Sequence, residues 1–128
     1  NTTNVNNVTV DLTSFDGNSE KGLYAEKLNN ATFTDISVIN SGTNAANPYH
    51  NAGIDVNLKF GDYQNLTFEN LTITGSGVDA FDSGQNRQES VVSLWVKASN
   101  DGGTYGPNPA ILNGLYISGI NIVAGGSV

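Results

Sequence analysis

The sequence predicts a right-handed parallel β-helix (a solenoid) of about four three-stranded coils, with long loops between coils and residues 1–128 forming a single module. Three observations lead there: a six-residue pattern that recurs four times, a turn-tolerant residue at the same place in each copy, and a composition poor in helix formers. Asn is abundant, Gly numbers 15 and Pro only 3. Asn and Gly are weak in helices but tolerate the positive φ of tight corners. Charged residues make up 13% and hydrophobic ones 38%, which excludes a charge-driven disordered chain.

The repeat reads apolar, polar, Asn/Asp/Gly, apolar, polar, apolar. Its copies are Val5–Val10, Phe33–Val38, Phe68–Ile73 and Ile117–Ile122, starting 28, 35 and 49 residues apart. Strict strand alternation places inward residues at i, i+2 and i+4. Here the first two apolar positions are three apart, so the strand must bend between them. The residues at the bend are Asn7, Asp35, Asn70 and Gly119, types suited to a left-handed corner. Upstream, Ala31 and Phe33, Leu66 and Phe68, and Leu115 and Ile117 extend the inward face. A third strand family follows: Leu23–Ala25, Ile54–Leu58 and Val92–Val96, each alternating. Two strands around a corner, a loop and a third strand make one coil of a stacked, quasi-one-dimensional architecture. An antiparallel sandwich also gives short strands and turns, but it does not explain a fixed corner residue. A calcium roll needs tandem Gly-Gly-x-Gly-x-Asp repeats, and the nearest string, Asp101–Gly106, occurs once.

On these residues the chain resembles the pectin-lyase-like superfamily of right-handed parallel β-helices, over nearly its whole length. The resemblance implies that Asn7, Asp35 and Asn70 form an interior-facing asparagine ladder that stops at Gly119. The superfamily includes polysaccharide lyases, polygalacturonases and uronan epimerases. Its lyases pair calcium-binding carboxylates with a basic Arg or Lys, and its polygalacturonases cluster Asp residues with a Gly-His-Gly element. Neither motif is present here, so no catalytic residue carries over. Arg87 is the sole Arg, and Lys59 and Lys97 are the lysines expected on the third strand family's outer face.

The net charge of −7 argues against nucleic acid and anionic membrane surfaces as partners. The absence of Cys removes disulfides and thiolate metal sites. No apolar run is long enough for a transmembrane span. With no signal peptide visible and no Met at any position, the chain reads as an excised or processed piece of a larger secreted or cell-surface protein.

Candidate sites lie on the third strand family and in three polar insertions, Asn40–Asn51, Thr74–Glu89 and Ser99–Pro109. Aligning Val92 with Ile54 and Leu23 gives outward columns Tyr24–Asp55–Ser93 and Glu26–Asn57–Trp95, with Lys59 beside Lys97. Tyr24, Asp55, Asn57, Lys59, Trp95 and Lys97 are therefore the candidate carbohydrate-binding residues, because an aromatic platform beside polar groups suits sugar rings. Asp79 and Asp82, three apart on a Gly-flanked loop, are candidate calcium ligands, as are Asn100 and Asp101; calcium needs six to eight oxygens. The lone His50 makes zinc improbable. Sequons stand at Asn1, Asn7, Asn30, Asn65 and Asn70, but interior-facing corners would hide Asn7 and Asn70. The functional expectation is a structural or adhesive module contacting polysaccharide, with a fragment of a polysaccharide lyase, hydrolase or epimerase as the alternative. Open coil ends are expected to associate with another copy or with neighbouring coils of the parent protein.

Overall fold

The computed structural model describes residues 4–44, 46, 51–77, 92–98 and 109–123. Among them are thirteen strands and no helix. The first coil holds β1 (Val5–Asn6), β2 (Thr9–Asp11), β3 (Ser14–Asp16) and β4 (Lys21–Glu26). The second holds β5 (Leu28–Asn29), β6 (Ala31–Thr34), β7 (Ser37–Ile39) and β8 (Ala52–Asn57). The third has β9 (Gly61–Glu69), β10 (Thr72–Thr74) and β11 (Val92–Lys97), and the fourth has β12 (Ala110–Ser118) and β13 (Asn121–Val123). Three sheets stack in sequence order, β2-β6-β9-β12, β3-β7-β10-β13 and β4-β8-β11, and β1 pairs with β5. Every pairing is parallel. The chain is an all-β parallel solenoid, as the repeat predicts.

Inward residues stack in rows because each coil places them at the same register. Val10, Phe33, Phe68 and Ile117 form one row; Phe15, Val38, Ile73 and Ile122 form another. Leu23, Ile54 and Leu94 line the third sheet. The Phe33 and Phe68 rings stack with centroids 5.0 Å apart and planes within 5°. Both are fully buried, as are Leu66, Leu71 and Ile73 in the third coil. Burial fades in the fourth coil, where Leu115 and Ile117 are 47% and 41% exposed.

Left-handed residues mark the corners and recur every five positions. Asn7, Asn30, Asn65 and Gly114 form one column; Leu12, Asp35, Asn70 and Gly119 form the next; Gly17, Asn40 and Gly75 form a third. This corrects the first copy of the repeat. Val10, not Val5, pairs with Phe33, while Val5 pairs with Leu28. The true period between the first two coils is therefore 23 residues. Asn7 belongs to a different corner from Asp35 and Asn70, whose first-coil counterpart is Leu12. The asparagine column runs through Asn7, Asn30 and Asn65, with Asn65 Nδ2 donating to Asn30 Oδ1 at 3.0 Å. It faces outward: Asn7, Asn30, Asn65 and Asn70 are all exposed. The interior-facing ladder is thus overturned, and so is the ground for discounting these sequons.

The corner between the first and second sheets always has two residues, as in Leu12–Thr13 and Asn70–Leu71. Length changes sit on both sides of the third sheet. The connection entering it grows from four residues to twelve and seventeen; the one leaving it grows from one to three and twelve.

The corner assignment is testable. Asn70 has φ 54°, a conformation in which a β-branched residue is strained. Asn70→Val is expected to cost about 1–2 kcal/mol. Thr72→Val, on an exposed strand position, is expected to be near neutral. Equal urea midpoints for the two variants would contradict the corner.

Candidate carbohydrate-binding face

The outer face of β4-β8-β11 assembles the candidate residues. Leu23, Ile54 and Leu94 point inward, so Tyr24, Asp55 and Trp95, one position on, form a single outward column. The next column is Glu26, Asn57 and Lys97. The expected alignment of β11 was displaced by two residues: Trp95 lies level with Asp55 rather than Asn57, and Ser93 is buried. A shift of two keeps Trp95 and Lys97 on the outward side, so alternation alone could not detect it.

A buried corner fixes where β11 begins. The Ser41 backbone N–H donates to Ser76 Oγ at 3.0 Å, and Ser93 Oγ donates to the Ser76 carbonyl at 3.2 Å. These hydroxyls replace the solvent that the buried backbone has lost.

Asp55 is the centre of the face. It is 3% exposed, so its charge needs compensation. Lys97 Nζ lies 2.9 Å from Oδ1 and 3.1 Å from Oδ2, and Lys21 Nζ lies 3.9 Å from Oδ2. The Lys97 ammonium thus spans both oxygens of the buried carboxylate. Each ammonium also covers an aromatic ring, Lys97 over Trp95 at 4.0 Å and Lys21 over Tyr24 at 4.9 Å. Such cation–π contacts orient both rings. Together with Asn51 and Ala52 these groups line a cleft of about 230 Å³. Asn51 is buried and ties down its loop, accepting from the Asn44 N–H and donating to the Asn44 carbonyl, each at 3.1 Å.

Asn57 keeps its expected place beside Glu26, but Lys59 does not sit beside Lys97. The Lys59 ammonium is 3.2 Å from Glu26 Oε1, while Lys97 serves Asp55, so the two lysines belong to different pairs. Asn57 Oδ1 accepts the Lys59 backbone N–H at 3.2 Å, stabilising the turn after β8. The Tyr24 hydroxyl donates to Glu26. That bond, followed by Lys59 and Lys27, holds the Glu26 carboxyl below its usual value near 4.5, against an opposing effect of partial burial. Glu26 therefore contributes stability that is complete above its unfolded pKa and is lost as pH falls through the lower folded value. Glu26→Gln is expected to flatten the stability profile in that acidic window while leaving neutral-pH behaviour nearly unchanged. Urea midpoints from about pH 6 to about pH 3 measure it; an unaltered profile would exclude the role of Glu26.

Sequence reasoning missed Lys21 and Asn51. Strict alternation from Leu23 assigns Lys21 to the inward side, and Asn51 read as ordinary loop. Asp79, Asp82, His50, Arg87, Asn100 and Asp101 lie outside the described residues. Among the described residues no group of three or more His, Cys, Asp or Glu is placed to hold a metal, and no helix is long and apolar enough to cross a membrane. Compared with known families, curated proteins and solved structures, the chain matches none.

Proposed function

We propose that the chain is a structural or adhesive module of a secreted or cell-surface protein, related to the pectin-lyase-like right-handed β-helices, that contacts polysaccharide through the outer face of β4-β8-β11. One observation carries this reading: Tyr24, Asp55 and Trp95 stand in one register column, with the buried Asp55 carboxylate holding the Lys97 and Lys21 ammonium groups against the two rings. A sugar offers both complements. Its C–H face packs on an aromatic ring, and its oxygens accept charge-assisted hydrogen bonds, which are stronger than neutral ones. Lys21 and Lys97 add donors for ring and hydroxyl oxygens.

Trp95 is the only tryptophan, so its fluorescence reports directly on the face. Titration with a panel of neutral and acidic polysaccharides is expected to change that emission for at least one member. Asp55→Asn should weaken binding about tenfold or more, equivalent to about 1.4 kcal/mol, and Trp95→Ala, followed by calorimetry, should weaken it at least as much. A panel with no binding member, or variants that bind like the parent chain, would overturn the proposal.

A further inference from the structure

We infer that the outer face of β4-β8-β11 takes an extended, ribbon-like glycan of equatorially linked pyranoses, lying across the three strands with alternate sugars packed on Tyr24 and Trp95. The inference rests on polysaccharide contact at this face and goes further, to the shape of the chain that fits. Tyr24 pairs with Asp55, and Asp55 with Trp95. The two rings therefore stand at the same register position on strands two steps apart, about 9.5 Å at the usual strand spacing. Both line one cleft, together with Asp55. Tyr24 is 48% exposed and Trp95 is half-buried, so each ring has surface to offer.

Parallel pairing gives the face a translational repeat. Each outward position of β4 recurs on β8 and β11 with the same strand direction and in register. A glycan that meets two such rings alike must present the same face to both after one repeat. In a chain linked through equatorial bonds on both sides of each sugar, neighbouring sugars face opposite ways and alternate sugars face the same way. Such a chain is nearly straight, and each sugar advances it by close to one strand spacing. The first sugar then packs on Tyr24, the second passes over Asp55, and the third packs on Trp95 through the same C–H face. A chain with an axial bond at every linkage coils, and it turns its third sugar away from the second ring.

The middle position is polar. The Asp55 carboxylate holds the Lys97 and Lys21 ammonium groups there, and each ammonium also lies against a ring. The second sugar, which presents its opposite face, thus meets donors for its oxygens instead of a third ring. Ring, ion cluster and ring follow one another along the column at the interval of successive sugars.

Titration calorimetry of the 128-residue chain tests this, using cello-oligosaccharides and oligomannuronates of two, three and four sugars, with malto-oligosaccharides of the same lengths for contrast. Affinity is expected to rise about tenfold from two sugars to three in at least one equatorially linked series, the gain from reaching a second ring, and to change little from three to four. The malto-oligosaccharides should show no such step. Tyr24→Leu keeps an apolar side chain but no ring. It should bind the trisaccharide no better than the disaccharide, while its disaccharide affinity stays near that of the parent chain, with folding checked by circular dichroism. An even rise with length, an equal step in the malto-oligosaccharides, or a step that survives in Tyr24→Leu would overturn the inference and leave polysaccharide contact standing. So would polysaccharides that bind while neither equatorially linked series does. No binding by any glycan would overturn both readings. If Tyr24→Leu fails to fold, the step in the parent chain decides alone.

Discussion

Replacing Phe68 with alanine is expected to lower the free energy of unfolding by about 3–5 kcal/mol. Phe68 is fully buried in the third coil, with Phe33 stacked on one side at 5.0 Å and Ile117 in register on the other. In a solenoid, stability is close to a sum of coil terms and nearest-neighbour interfaces. Removing this ring damages two interfaces at once and leaves a void that neighbouring strands, fixed by their backbone ladders, cannot close. Ile117→Ala changes the same row at its exposed end and should cost under about 1.5 kcal/mol, since much of that side chain is already in water. Urea unfolding of both variants gives the contrast. Similar losses would mean that the row is not a continuous stack.

Gly53→Ala is expected to be comparably severe, at about 3 kcal/mol or more, the upper end for overpacking. A Cβ at Gly53 would lie 2.4 Å from the Ser93 carbonyl oxygen and 3.1 Å from Ile73 Cγ2. The carbonyl belongs to the adjacent strand of the same sheet, so relief requires moving β11 and the Asp55–Trp95 column with it. Gly17→Ala is the control. Its φ of 68° imposes left-handed strain, but no atom lies within 4 Å of the added carbon. It should cost about 1 kcal/mol. Thermal unfolding followed by circular dichroism orders the two; a Gly53 variant no worse than the Gly17 variant would show that the strands can separate there without loss.

Much of the architecture is legible in the sequence because the corner chemistry is local. Asp35, Asn70 and Gly119 each mark a bend between inward residues, and those three copies align in the structure at Phe33, Phe68 and Ile117. The first coil was misread for an equally local reason. Corners five residues apart make Val5–Val10 around Asn7 look like Phe33–Val38 around Asp35. The real counterpart bends at Leu12, a residue that seldom takes φ near 49°. The candidate face shows the same limit. Periodicity identified Tyr24, Asp55 and Trp95 as outward but not which of them share a row, because register depends on the strand next door. The Lys97–Asp55 and Lys59–Glu26 partnerships follow from that register and from the turn after β8.

The fixed two-residue corner between the first two sheets has a consequence for how this chain can diversify. Those sheets form a spine whose dimensions are repeated in every coil, while segments beside the third sheet lengthen freely. Closing a longer loop costs little, about 0.6 kcal/mol for each doubling. Inheritance can therefore rewrite the borders of the Tyr24–Asp55–Trp95 face by insertion, without shifting the register of a single spine residue. A foreign segment grafted between Asn44 and Asn51 should leave the Phe33–Phe68 stack undisturbed, which makes the molecule a frame on which recognition loops are exchangeable parts.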